Sequence, residues 1–140
     1  MRALEQKKII RVLDANFNRV HEALRVCEDV SRFVLDQKGW TKQYKDIRHD
    51  LVAVQAGMLR NRNQAIGSRD IEGDVGKGST FLELKRRNVK DIFLANSQRT
   101  KESLRVLEEF AKLMNIRFAV ELKNIRYHIY ALERKVVTKF

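Results

Sequence analysis

Placing successive residues 100° apart sorts the apolar positions of this chain into four helical stripes. Over residues 5–35, Leu13, Val20, Ala23, Leu24, Cys27 and Val34 share one arc, and Glu22, Arg25 and Asp29 lie opposite. Asn16 falls inside that arc and Arg19 at its edge. Over residues 42–62 the stripe is Tyr44, Ile47, Leu51, Val54 and Met58, with Arg48 and Gln55 beside it. Residues 89–114 align Phe93, Thr100, Leu104, Leu107, Phe110 and Ala111. Residues 117–137 align Leu122, Ile125, Ile129, Leu132 and Val136, and a short helix is expected over 81–87. No stretch alternates with period two, so the predicted fold class is all-α. Gly39 is the expected stop of the first helix and Thr41 the expected N-cap of the second.

The stripes come in two matched pairs. DANFNRVHEALRVCED, from Asp14, returns as LANSQRTKESLRVLEE, from Leu94. Asn96 minus Asn16 is 80, and at that offset Arg19/Arg99, Glu22/Glu102, Arg25/Arg105 and Glu28/Glu108 are identical. KDIRHDL from Lys45 returns as KNIRYHI from Lys123, at an offset of 78. The chain is a tandem duplication. Its expected organisation is one domain over 1–140, with repeat one at about 5–62, a glycine-rich linker at about 63–80 and repeat two at about 89–137. Two helical hairpins packed face to face bury all four stripes, which predicts a pseudo-twofold helical bundle.

Composition narrows the partner. The 140 residues carry a net charge of +11, which points to an anion: nucleic acid, acidic lipid or a phosphorylated metabolite. The lone Cys27 lies on the apolar stripe and is expected as a buried thiol. No signal peptide or membrane-length apolar run is visible, so a soluble, cytoplasmic protein is expected.

Two groups of residues can carry chemistry. An Asn on an apolar arc must find hydrogen-bond partners, at a cost of roughly 1–3 kcal/mol if it does not. Either Arg48 and Arg126 tie helices to Glu22, Glu28, Glu102 or Glu108, or a pocket lined by both copies lets Arg19, Arg25, Arg99 and Arg105 meet a phosphorylated ligand. Arginine suits phosphate because its planar fork donates two parallel hydrogen bonds. The second group is the linker, NQAIGSRDIEGDVGKGST, which holds four of the six glycines. Asp70, Glu72 and Asp74 are hard oxygen ligands suited to magnesium, which needs few protein ligands beside phosphate. Gly73, Gly76 and Gly78, with Lys77, would let backbone N–H groups approach a phosphate. The alternative is a turn built from Asp and Gly. His21, His49 and His128 read as surface residues.

The motif N-x-x-R-x-x-E-x-L-R-V-x-E-[DE] occurs twice, K-x-I-R-H follows the first copy, and RD-x-x-x-DVG lies between them. This combination resembles the alternative hydroxymethylpyrimidine phosphate kinase family of thiamine biosynthesis, which occurs alone or fused ahead of thiamine phosphate synthase. The resemblance covers roughly residues 10–115, and with no synthase domain following, the chain is similar to the stand-alone form. It implies ATP-dependent conversion of 4-amino-2-methyl-5-hydroxymethylpyrimidine phosphate to its diphosphate, with magnesium accompanying ATP. On that footing Arg25, Arg105 and Arg69 are the expected catalytic cations. Asn16, Arg19, Glu22, Arg48, Asn96, Arg99 and Glu102 are the expected substrate contacts, with Asp74 and then Asp70 as metal ligands.

The expected partners are the phosphorylated pyrimidine and ATP, with a homo-oligomer compatible and no membrane. Two other classes fit the charge: a basic helical nucleic-acid-binding module and a non-enzymatic helical interaction protein. Against the first, aromatic residues are only 8% and fall mostly at helix-core spacing.

Overall fold

The structure, a computed structural model, describes residues 2–140 apart from the side chains of residues 81 and 82. The chain is all-α, with no strand among the described residues. Helix α1 spans Ala3–Asp29 and runs on as a π-helical turn, Val30–Val34. Then come α2 (Lys38–Met58), the short α3 (Arg62–Gly67) and α4 (Phe81–Leu84), and finally α5 (Val89–Ala111) and α6 (Ile116–Val137).

Three asparagines start helices. Asn61, Asn88 and Asn115 accept backbone N–H bonds from Gln64, Asp91 and Arg117 at 3.0, 2.9 and 2.9 Å, satisfying donors that an α-helix leaves orphaned. The first inter-helix turn departs from expectation. Gly39 does not stop α1; it lies in the first turn of α2. The chain turns instead at Asp36, whose φ is 52°. Thr41 is not a cap either: it sits a turn inside α2 and donates its hydroxyl to Gln37 O at 2.7 Å. Glu28 and Arg48 are 20 positions apart, whereas their counterparts Glu108 and Arg126 are 18 apart. The longer first connection is taken up by the π turn and the left-handed Asp36. The π turn also rotates the helix end, leaving Val34 51% exposed rather than on the buried arc. Further boundaries differ: α4 ends at Leu84 rather than 87, and α5 at Ala111 rather than 114. α2 ends at Met58 rather than near residue 62, and the first residues of the expected linker form α3.

The four long helices pack in a ring. α1 lies against α5 and α2, and α6 against α5 and α2. At one end Ile9 and Ile10 of α1 meet Met58 of α2, Leu113 beyond α5 and Phe118 of α6, so neighbouring helices are antiparallel. Equivalent positions of the two repeats fill one core: Leu13/Phe93, Leu24/Leu104 and Cys27/Leu107 on the first helices, with Tyr44/Leu122, Ile47/Ile125, Leu51/Ile129, Val54/Leu132 and Met58/Val136 on the second. Phe110 packs partly buried against this core. The result is a pseudo-twofold bundle of two helical hairpins. No helix among the described residues is long and apolar enough to cross a membrane.

Candidate functional site

The centre of the candidate site is a buried charge. Asp14 lies on α1, three residues before the core Phe17, and is 4% exposed. A carboxylate there requires a partner, since burial of an unpaired charge is strongly unfavourable. The partner comes from 55 residues away. Arg69 donates from Nε to Oδ2 at 2.7 Å and from Nη2 to Oδ1 at 3.0 Å, a bidentate fork. These hydrogen bonds push the Arg69 guanidinium above its ordinary pKa. α3, which packs on α1, delivers Arg69 to this place. Just before it, the buried Ser68 hydroxyl closes the helix on Ala65 O at 2.6 Å. The arginine side chain keeps 42% of its surface exposed, so the fork is anchored while part of the guanidinium faces solvent.

A cleft opens on each side of this pair. The first, about 730 Å³, lies between α1 and the linker. It collects Asn16, Arg19, Arg69, Asp70 and Asp74 from the residues expected in the sequence, and adds Lys8, Arg11 and Asn18. Asn16 solves its burial locally: Nδ2 donates to Val12 O at 2.8 Å, and Oδ1 accepts from Arg19 Nη1 at 3.3 Å, which orients that cation. Asp70 Oδ1 accepts the Gly73 N–H at 2.8 Å, and Asp74 Oδ1 accepts the Gly76 N–H at 3.0 Å. Both aspartates therefore build turns, and both keep Oδ2 outside those hydrogen bonds. A Cβ at Gly73 would meet the Asp70 carboxylate, so a larger residue there displaces that side chain from the turn.

Hard carboxylate oxygens beside several cations suit a magnesium ion that takes most of its ligands from phosphate and water. Among the described residues no three Asp, Glu, His or Cys side chains form a metal cage, and magnesium bound with a nucleotide does not require one.

The second cleft, about 440 Å³, lies between α1, α2 and α3. Its walls are Val52, Leu59 and Ile66, its amides Asn18 and Gln55, and its cations Arg60, Arg62 and Arg69. Asp14, Asn18, Arg60 and Arg62 are absent from the residues that periodicity and duplication single out. One signal for Asp14 was present: it is an acid four residues after Ile10 and three before Phe17, on the edge of the buried stripe.

The other expected residues lie elsewhere. Arg48 grips Glu28 at 3.0 and 3.2 Å, and Arg126 grips Glu108 through Nε and, at 3.2 Å, through Nη2. These are the inter-helix ties, one per repeat. Arg25 reaches Glu28 at 3.3 Å, and Arg105 reaches Glu108 at 3.6 Å and Glu109 at 2.8 Å, all along their own helices. Asn96 repeats the bond of Asn16, donating to Ile92 O at 2.8 Å. Glu22 and Arg99 are exposed, and Glu102 accepts from Gln98 at 3.0 Å. Arg105 and Glu102 border a separate shallow cleft with Arg126 and Tyr130. Gly76, Lys77 and Gly78 stand on the exposed linker outside both clefts, with Lys77 Nζ 3.5 Å from Glu72 O. His21 is half-buried rather than on the surface, and its Nε2 lies 2.7 Å from Gln55 Oε1.

The family model described as the ThiD2 family matches residues 11–135. The chain is similar to a thiamine-phosphate synthase of Rhodopirellula baltica, 40% identical over 136 residues, covering 96% of this chain and 36% of the relative. It is similar to thiamine-phosphate synthases of Nostoc punctiforme, at 35% identity over 94% of this chain and 36% of the relative, and of Synechocystis sp., at 38% over 89% and 35%. The chain thus spans about a third of the length of the curated relatives it matches. Their shared name ties those proteins to thiamine biosynthesis. No solved structure matches the chain.

Proposed function

The chain belongs to the ThiD2 family, and on that premise we propose that it phosphorylates 4-amino-2-methyl-5-hydroxymethylpyrimidine phosphate with ATP, giving the diphosphate and ADP. The observation that carries this reading is the convergence of Arg19, Arg69, Asp70 and Asp74 on one cleft beside the buried Asp14. The acceptor is a phosphate monoester with its second pKa about 6, so it is largely a dianion at neutral pH. An acceptor oxygen forms a bond to the γ-phosphorus, the bond from that phosphorus to the β–γ bridging oxygen breaks, and ADP leaves with the electron pair. No proton has to move, so no general base is needed. The remaining work is to hold two anions in line and offset their repulsion.

Lys8, Arg11, Arg19 and Arg69 supply positive charge for that purpose. Arg69 is held in place by Asp14 before any substrate arrives, which limits the reorganisation required in the transition state. Asp70 and Asp74 would hold magnesium, which when bound neutralises charge across the phosphate oxygens. The test is a coupled assay for ADP release with the pyrimidine monophosphate, ATP and magnesium. ADP release that requires the pyrimidine supports the reading, and its absence overturns it. Asp74→Asn should raise the magnesium requirement and cut turnover by roughly 10²-fold, the scale of one lost electrostatic contact. Superimposable magnesium titrations of the two proteins would remove Asp74 from the metal site.

A further inference from the structure

We infer that the cleft between α1, α2 and α3 is the acceptor subsite, and that it takes a phosphorylated planar heterocycle. Its phosphate would lie on Arg60 and Arg62, and its ring against Leu59 and Ile66. This deepens the kinase reading and rests on it for the identity of the heterocycle.

Charge is the first argument. Three guanidinium groups line this cleft against a single carboxylate, Asp14, and that carboxylate is already paired with Arg69. Arg60 and Arg62 therefore present uncompensated positive charge. Arginine forks match phosphate oxygens in pairs. The second argument is the wall. Val52 and Ile66 expose 53% and 44% of their surface, yet both line this concavity, and a flat ring covers such apolar surface. Third, the Gln55 carbonyl oxygen lies against His21, which leaves its amide nitrogen to donate to a ring nitrogen. Asn18 brings a second amide, with both donor and acceptor capacity. Arg69 borders both clefts, so donor and acceptor phosphates meet at one guanidinium.

Repeat two has no version of this subsite. At the offsets of 80 and 78, Gln98, Tyr130 and Glu133 stand for Asn18, Val52 and Gln55, and Thr138 and Phe140 stand for Arg60 and Arg62. Glu133 is moreover occupied by Lys101 at 2.9 Å.

The test is calorimetric binding of the pyrimidine monophosphate without ATP, beside the unphosphorylated pyrimidine. Arg60→Ala and Arg62→Ala should each weaken the monophosphate by roughly tenfold, the loss of one charge-assisted hydrogen bond, with melting temperature unchanged. Lysine at either position should restore part of the loss. Affinity for the unphosphorylated pyrimidine and KM for ATP should stay as in the wild type. Wild type failing to bind the monophosphate, or both alanine variants binding it normally, overturns the subsite. Weakened binding in a protein that releases no ADP leaves the subsite standing and fails the kinase reading alone.

Discussion

The two first helices of the repeats, α1 and α5, share a motif and differ in what their outer faces hold. Both carry an asparagine bonded four residues back, buried in α1 and part-exposed in α5, and both present a glutamate that an arginine of the following helix clasps. At the position of Asp14, however, α5 carries Leu94. Only α1 has a buried acid at this position, and only α1 receives the linker's arginine. His21 and Gln55 pair across the first hairpin, while their counterparts Lys101 and Glu133 form an ion pair, with Lys101 Nζ 4.5 Å from the Tyr130 ring centroid. The shared clasps build the bundle, and Asp14, Arg60, Arg62 and Arg69, which repeat two lacks, gather where the linker lands. A linker that crosses once can decorate only one of two equivalent faces.

The largest effect is expected where that difference is erased. Asp14→Leu installs the residue of the second copy and releases Arg69. Turnover should fall by roughly 10²-fold or more. Stability should fall by only about 1 kcal/mol, because the freed, part-exposed arginine can hydrate. Arg69→Ala strands the buried carboxylate instead and should cost about 3 kcal/mol. Urea denaturation of the two variants measures the order, and the reverse order would contradict an Asp14 anchored in the bundle wall.

The shared ties should respond equally. Glu28→Ala and Glu108→Ala each strand a mostly buried arginine, Arg48 at 16% exposed and Arg126 at 14%. Each should cost about 3 kcal/mol, with the pair matching to within about 1 kcal/mol. A loss confined to one repeat would show that the duplicated ties are not equivalent.

Alkaline pH should act through repeat one. Burial pushes the Cys27 thiol up to about 12 from 9.0, and raises Tyr44 above its ordinary 10.0. Both groups stay protonated in the folded chain after they would ionise unfolded. Their contribution to stability is complete below about pH 9 and declines as pH rises through 9 and beyond. Repeat two has Leu107 and Leu122 in these places. The double variant Cys27→Ala with Tyr44→Phe should therefore show a flatter stability profile between about pH 9 and 11 than the parent. Parallel profiles would place the alkaline sensitivity elsewhere.

The smallest effects concern a tyrosine and two glycines whose residue types repeat two does not keep. The Tyr44 hydroxyl is buried without a hydrogen-bond partner, so Tyr44→Phe should be neutral or slightly stabilising in thermal melts. Gly39 has open space around its missing Cβ within a helix, so Gly39→Ala should add about 0.5–1 kcal/mol. A Cβ at Gly57 would instead lie 2.8 Å from Phe118 Cε1, so Gly57→Ala gains helix propensity only by moving that ring. Gly39→Ala should thus be the more stable of the two.

The repeat and the helical period were legible in the sequence because both are local. A stripe needs only residues three and four apart, and the offset of 80 needs only counting. From these followed the all-α class, the hairpin pairing, the buried Cys27 and the need of Asn16 for partners. The clasps of Arg48 and Arg126 were among the stated alternatives. The turn after α1 was less legible, because glycine and threonine signals compete with a packing constraint. The spacing of Glu28 and Arg48 is set by the clasp, and the surplus chain was absorbed by a π turn.

The site needed the tertiary structure. Asp14 and Arg69 are 55 positions apart, and nothing in the neighbourhood of either names the other. Their pairing depends on where α3 sets down the linker, a consequence of packing among three helices. The same packing turned Arg60 and Arg62, which follow the end of α2, into a lining shared with α1. Sequence period decides which face of a helix is dry. Which charged residues meet across the dry faces is decided by the geometry that buries them.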